Sequence, residues 1–431
     1  MTDSTIFKTT ELGDIPAEWE VVRLTEAVAL SRKPRNLDLS KFNAIPFIPM
    51  ELVPDNGTFI KDYEQKAKIG SGTYCEKGDI LLAKITPSFE NGKQGIVGEI
   101  PLDFAYATTE VYPLKAKPTK LDQMFLFHFL KLSRVRVDIA GKMEGTTGRQ
   151  RVPKSVIENY PIPLPPLAEQ RKIAHILNTV QRAIAAQDDL IAAAQALKRS
   201  LMRRVFTYGP GIEPAPTRET EIGEAPGHWE QITVGQACKS GGGLVQTGPF
   251  GSQLHAADYV SRGIPSVMPK NIGKDGKIDS TDISLISKPD HERLSRYHLR
   301  AGDVVYGRRG DIGRRALVLP EQNGWLCGTG CLFVRIGNYP MDPEFLAYYL
   351  GYQPVVDWII SRAVGTTMLN LNSKILRSVP LYFPNQNQQQ QIACTLRAAD
   401  AKIAAEQDRK GALQELFNSL LQALMTGRLR V

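Results

Sequence analysis

Pro54, Asp55, Glu64 and Lys66 have the proline-aspartate, then glutamate-x-lysine spacing of metal-dependent nucleases. In such a site the carboxylates bind magnesium and the lysine steadies hydroxide or developing charge. The spacing is permissive, and Asp55-Asn56-Gly57 reads equally well as a turn. A self-sufficient magnesium nuclease is therefore carried only as an alternative. Other catalytic patterns are missing: no Gly-Lys pair is followed by Ser or Thr as a phosphate loop requires, and no histidine sits in an H-E-x-x-H arrangement. There is no Asn-Pro-Pro-aromatic motif for holding a flipped base. The five cysteines are scattered, and Cys327 and Cys331 have no second pair with which to bind zinc.

The polar and basic residues concentrate elsewhere, in KITPSFENGKQG from Lys84, GTTGRQRVPK from Gly145 and YGRRGDIGRR from Tyr306. Net charge is +8, compatible with a polyanionic partner. At 431 residues, 42% hydrophobic and 23% charged, the chain has the composition of a soluble globular protein of several domains. No run is long enough to span a bilayer and the first residues lack the pattern of a signal peptide, so a cytoplasmic location is expected.

Two long helices must organise whatever those clusters do. Ile173, Val180, Gln187, Ala194 and Leu201 recur every seven residues, and Leu177, Ile184, Ile191, Lys198 and Val205 form a second row. The same two rows return near the C-terminus as Ile392, Ala399, Glu406, Leu413, Leu420 and as Leu396, Ile403, Lys410, Phe417, Leu424. Nearly five heptads predict a coiled-coil seam on helices roughly 60 Å long. Antiparallel pairing about the midpoints would set Gln187 opposite Lys410 and Ile191 opposite Glu406, a polar layer that costs stability but fixes register.

The rest of the chain is also doubled. TELGDIPAEWE from Thr10 recurs as TEIGEAPGHWE from Thr220. Short β-like runs, a helical stretch and a Gly-Thr-Thr turn follow each copy, and then a proline-rich strand leads into the long helix. The expected architecture is α+β: globules at 1–164 and 220–384, long helices at 165–208 and 385–431, and a stiff linker at 209–219. The two halves are expected to be related by a pseudo-twofold.

The chain resembles the specificity subunit of type I restriction-modification enzymes. The resemblance runs over the full length. It is carried by the paired openings at Thr10 and Thr220, TGPFGSQLHAADYVSRGIPSVMPKNI from Thr247, and the Gly-Asp-hydrophobic strands at Gly78 and Gly302. Both Gly-Thr-Thr turns and PIPLPPLAEQRKIA contribute as well. One departure is the second helix entrance, NQNQQQQIA in place of EQRKIA. The resemblance implies two target-recognition domains on an antiparallel helix pair, each reading one half of a split, asymmetric double-stranded DNA site. Half-sites roughly one helical turn apart, 34–36 Å, would suit such a pair. It also implies two methyltransferase subunits and restriction/translocase subunits as partners. They would bring the S-adenosylmethionine, ATP and magnesium chemistry, and this chain would be non-catalytic, with no cofactor or metal of its own. The second alternative is a coiled-coil scaffold that does not bind DNA.

On that reading the base and phosphate contacts fall in the polar clusters, because Arg and Lys suit guanine, Asn and Gln suit adenine, and Lys or Thr can hold phosphates. In the first half the candidates are Lys84, Asn91, Lys93, Gln94, Thr146, Thr147, Arg149, Gln150 and Arg151. In the second they are Gln246, Lys270, Asn271, Arg308, Arg309, Arg314, Arg315, Thr366, Thr367, Asn370, Asn372 and Lys374.

Overall fold

The computed structural model describes residues 6–146, 148–250, 252–363 and 370–431. The chain divides into two compact units, residues 1–188 with 408–431, and residues 189–407. Each unit thus takes one globule and part of both long helices, so the boundaries fall inside the helices rather than at their ends. The central helix spans Leu167–Tyr208 and the C-terminal helix Gln386–Met425.

In the first unit a five-stranded sheet runs in the order Val28–Leu30, Val111–Ala116, Ile80–Ala83, Gln94–Val97, Phe59–Ile60. A four-stranded sheet holds Glu64–Lys66, Ile45–Ile48, Phe104–Ala107 and Thr73–Glu76. Strand alternation shows how the layers stack. Leu81 points into a core shared with Ile48, Cys75 and Ala105 of the second sheet, while Ile80 and Leu82 point into a core with helix Gln123–Lys131 and Ile173 and Leu177 of the central helix. Both faces of that strand are buried, which explains its unbroken apolar run.

The second unit repeats the scheme. One four-stranded sheet runs Leu244–Thr247, Cys331–Arg335, Val304–Gly307, Arg315–Leu317, and the other Tyr259–Val260, Ser284–Ile286, Ile264–Val267, Leu326–Cys327. Val305 and Phe333 face a core with Val267 and Cys327 of the other sheet, and Val304, Tyr306, Leu332 and Val334 face helix Pro343–Tyr349 and the long helices.

The Gly-Asp pairs that open the central strands are turn devices. Gly78 and Gly302 both have φ of +89°, and the buried carboxylates of Asp79 and Asp303 accept from the backbone N–H groups of Glu76 and Arg300 at 2.8 Å. Burial raises both carboxyl pKa values, and at Asp303 the Arg335 guanidinium opposes that shift.

Each long helix is tied to its globule by one buried glutamine. Gln170 accepts from Asp122 N–H at 2.9 Å and donates to Pro165 O at 2.8 Å, while Gln389 accepts from Asp342 N–H at 2.8 Å and donates to Pro384 O at 2.8 Å. Both amides thereby satisfy backbone groups at helix ends.

The helices run antiparallel within each unit. In the first, Lys410 pairs with Asp188 at 2.6 Å and Arg430 with Glu169 at 2.6 Å; in the second, Lys198 pairs with Asp400 at 2.5 Å. Within the first unit the partner falls from 430 to 410 as the central helix climbs from 169 to 188, and within the second Met202 and Phe206, beyond Lys198, share a core with Ile392 and Leu396, before Asp400.

Of the seam residues, Ile173, Leu177, Gln187, Val205, Ile392, Leu396, Glu406 and Leu424 are buried. Val180, Ile184, Ile191, Leu201, Ile403, Lys410, Leu413, Phe417 and Leu420 are half-buried. The ion pair of Lys410 goes to Asp188, one residue beyond the expected Gln187, and Glu406 pairs with Lys402 on its own helix.

Candidate nucleic-acid interfaces

Each unit brings two separate sequence clusters to one end of its sheet. In the first, strand Ile80–Ala83 ends opposite Val111, and the loop from Lys84 leaves there. The hairpin Glu144–Thr146 and Arg149–Arg151 lies against that loop, with Thr86 N–H on Gln150 O at 3.0 Å and Val152 N–H on Lys84 O at 2.8 Å. In the second, strand Val304–Gly307 ends opposite Cys331, and Leu371 N–H bonds Arg308 O at 2.9 Å. The loop from Arg308 is thereby laid along Asn370 and Leu371, just as Lys84 is laid along the hairpin.

The side chains at these ends differ in what they have free. Lys84 is half-buried with its ammonium 5.1 Å from the centre of the Tyr112 ring, a cation–π contact. Asn91, Thr146 and Arg149 are exposed, and Gln150 is half-buried. Among the described residues the Arg149 side chain makes no hydrogen bond or ion pair. Arg151 is exposed but holds Glu110 through two bonds, at 2.9 and 2.8 Å, and this pairing lowers the Glu110 pKa. In the second unit Arg309 and Lys374 are exposed, and Arg308 is half-buried with its Nε on Leu371 O at 3.3 Å. That bond fixes the stem and leaves the two terminal nitrogens of the fork. Arg314 pairs with Asp311 at 2.9 Å, Lys270 donates to Asp282 O at 2.9 Å, and Gln246 donates to Thr247 O at 3.0 Å.

Several sequence candidates are taken up by the fold instead. Gln94 is buried with its amide on Phe127 O at 2.8 Å, and Lys93 donates to Met50 O and Val53 O, both at 3.0 Å. Asn271 is buried, accepting from Met268 N–H at 3.1 Å and donating to Asp279 O at 3.1 Å. Asn372 caps helix Ser373–Ser378 by accepting from Ile375 N–H at 3.0 Å. Arg315 packs against Gly351 with its Nε on Ala347 O at 2.8 Å, and burial lowers its pKa. These five hold backbone groups in place and offer little to a ligand. Asn370 is half-buried at the strand-like bridge to Arg309. Thr147, Thr366 and Thr367 lie outside the described residues.

One exposed group at the second interface was not among the candidates. Phe250, in Thr247-Gly-Pro-Phe-Gly-Ser, is 56% exposed, and its ring centre lies 6.0 Å from the Arg308 guanidinium. The signal in the sequence was an aromatic flanked by glycine and proline, residues that turn a chain outward.

The nuclease alternative finds no support in the geometry. Lys66 pairs with Glu64 at 3.4 Å and its ammonium sits 3.4 Å from the centre of the Phe47 ring. Among the described residues no three His, Cys, Asp or Glu side chains gather to hold a metal. No helix of the described residues is long and apolar enough to cross a membrane.

Comparison with known proteins agrees with the doubled architecture. The specificity subunit of type I restriction enzyme MjaVIII from Methanocaldococcus jannaschii is 24% identical over 431 residues, covering 97% of this chain and 94% of that one. The EcoEI specificity subunit of Escherichia coli is 31% identical over 163 residues, 37% of this chain and 27% of that one. Among solved structures, a chain from a study of complex assembly and conformational transition of the type I R-M system superposes with a TM-score of 0.58 at 21% identity. It covers 96% of this chain and 99% of that one. The type I S subunit from M. genitalium gives a TM-score of 0.53 at 14% identity over 94% of this chain and 96% of that one, so it shares the fold. The family model described as type I restriction modification DNA specificity domain matches residues 16–195 and 268–415, and the chain belongs to that family, as a type I specificity subunit with two target-recognition domains.

Proposed function

We propose that the two sheet ends are the reading surfaces, each recognising one half of a split, asymmetric site in double-stranded DNA. One observation carries this reading: in both units the loop leaving the same strand, at Lys84 and at Arg308, is hydrogen-bonded to a second polar segment, at Gln150–Val152 and at Asn370–Leu371. Lys84, Asn91, Thr146, Arg149, Gln150 and Arg151 would serve one half, and Arg308, Arg309, Arg314, Asn370 and Lys374 the other, with Gln246 and Lys270 beside them. Thr147, Thr366 and Thr367 belong to the same two segments. A major groove offers these donors guanine O6 and N7, and phosphates for the remaining cations. Because the two sets differ in residue type, the two half-sites differ in sequence.

The paired helices would serve as docking surface for two methyltransferase subunits and as the spacer between readers, with restriction/translocase subunits joining the complex. Those partners would supply S-adenosylmethionine, ATP and magnesium chemistry in the cytoplasm. Co-expression with the neighbouring methyltransferase, followed by long-read mapping of modified adenines, tests the reading. The expected result is one motif with two fixed halves and a constant spacer. A short unsplit motif, or none from a stable complex, would contradict it.

A further inference from the structure

The most exposed aromatic side chain among the described residues stands at the second sheet end, and the structure holds its backbone in place. Gly248 N–H bonds Cys331 O at 2.9 Å, and a Cβ at Gly248 would lie 2.2 Å from Gly328 O, so only glycine lets the loop leave the sheet this closely. Beyond it, Phe250 N–H donates to the Gln253 side-chain oxygen at 3.2 Å and Phe250 O accepts from Gln253 N–H at 2.8 Å. The Gln253 side-chain oxygen also accepts from the hydroxyl of buried Tyr297 at 2.8 Å. A frame of this kind fixes a ring that its own globule does not cover.

The neighbours say what covers it. Strands Leu244–Thr247 and Val304–Gly307 both end beside the start of strand Cys331–Arg335, so the Phe250 and Arg308 loops leave the same edge. Arg308 is tethered through Nε to Leu371 O, which leaves its terminal nitrogens beside the ring, and exposed Arg309 follows. An apolar protein surface would have to desolvate these cations without pairing them. Duplex DNA answers both demands, because phosphates and guanine acceptors suit the arginines while thymine methyls and base faces suit the ring.

We infer that Phe250 is a DNA-contacting residue of the second half-site, covering an apolar base surface next to the guanine or phosphate held by Arg308. The inference rests on the two-reader function proposed above and adds a contact that cannot be a hydrogen bond.

The test uses the full chain in complex with its methyltransferase partner and a duplex carrying the mapped target. Each thymine of the second half-site is replaced in turn by uracil, and each base in turn by an abasic site. Wild-type protein is expected to lose about fourfold in affinity at one uracil position, the worth of one buried methyl, or about tenfold at one abasic position if the ring stacks. Phe250→Ala should be indifferent to that same replacement, and Phe250→Trp should restore the sensitivity. A uracil effect identifies the methyl and an abasic effect alone identifies the base face. If Phe250→Ala binds every duplex as wild type does, or weakens all of them and random DNA by one factor, the inference is overturned. If wild type itself does not prefer the target to random DNA, the two-reader function fails, and the inference with it.

Discussion

The two proposed reading ends share one backbone plan and differ in what their first cation meets on the neighbouring strand. Glu110, whose carbonyl accepts from Lys84 N–H, holds Arg151 by two bonds. At the corresponding point of the second unit, Gly330 O accepts from Arg308 N–H and brings no carboxylate. At this point the first end keeps Arg151 in an internal pair while the second, among the described residues, sets no carboxylate against Arg308, although Arg314 further along that loop pairs with Asp311. Duplication preserved the frame, and the side chains on it diverged into two different surfaces.

The same contrast runs through the cores and gives the largest expected effect. His128 is buried on helix Gln123–Lys131, with one ring nitrogen 3.1 Å from Asn178 Oδ1. Burial pulls its pKa down to about 4, with Lys131 adding to that shift and Asn178 opposing it. In helix Pro343–Tyr349, six residues beyond the matching capping aspartate, stands Tyr348, bonded to Asp400 at 2.7 Å. The unfolded chain binds a proton at His128 near pH 6.5 that the folded chain refuses. Stability from this group is thus full above about 6.5 and is lost as pH falls toward 4, by about 3 kcal/mol in the first unit, while in the second burial lowers the His298 pKa as well. Denaturant unfolding followed against pH should show the first unit loosening before the second, and His128→Gln, which can still reach Asn178, should remove the difference.

Next in size is Arg308→Ala, expected to cost roughly 1–3 kcal/mol on the cognate duplex with little loss on random DNA, measured by fluorescence anisotropy at fixed salt. Equal weakening on both would make Arg308 a phosphate contact. The tryptophans after the repeated openings sharpen the comparison further. Trp19 donates to Glu169 at 3.2 Å, whereas the indole N–H of Trp229 is buried with no partner among the described residues. Trp229→Phe should therefore cost about 1 kcal/mol less than Trp19→Phe in unfolding experiments, since it removes an unsatisfied donor rather than a bond. Smallest is Glu110→Gln, which releases Arg151. Its binding should become more salt-sensitive by about one unit in the log–log slope.

The repeat and the helix pair were legible in the sequence because a seven-residue period and an eleven-residue opening motif each occur twice. The clusters that meet at the sheet ends were legible too, since turn-rich polar segments follow strands. What could not be read was which polar side chains the fold would spend on itself. Gln94 and Asn271 satisfy carbonyls that exist only once the globules close, and Asn372 is recognisable as a cap only when the helix after it is known. Phe250 escaped notice for the converse reason: an aromatic is expected inside, and only the glycine contacts at Gly248 and Gly328 show that its loop is held outward. The division of both long helices between the two units was equally hidden, because a heptad seam carries no mark of where one globule's packing stops.

The proposed function requires two independent surfaces, each reading one half of one site. Adenine-methylation maps of co-expressed Arg149→Ala and Arg308→Ala variants test it most directly. Each variant should relax base preference in one half of the motif only, and in opposite halves, with the spacer unchanged. If either substitution loosened both halves together, or if both acted on the same half, the two ends would not be separate readers.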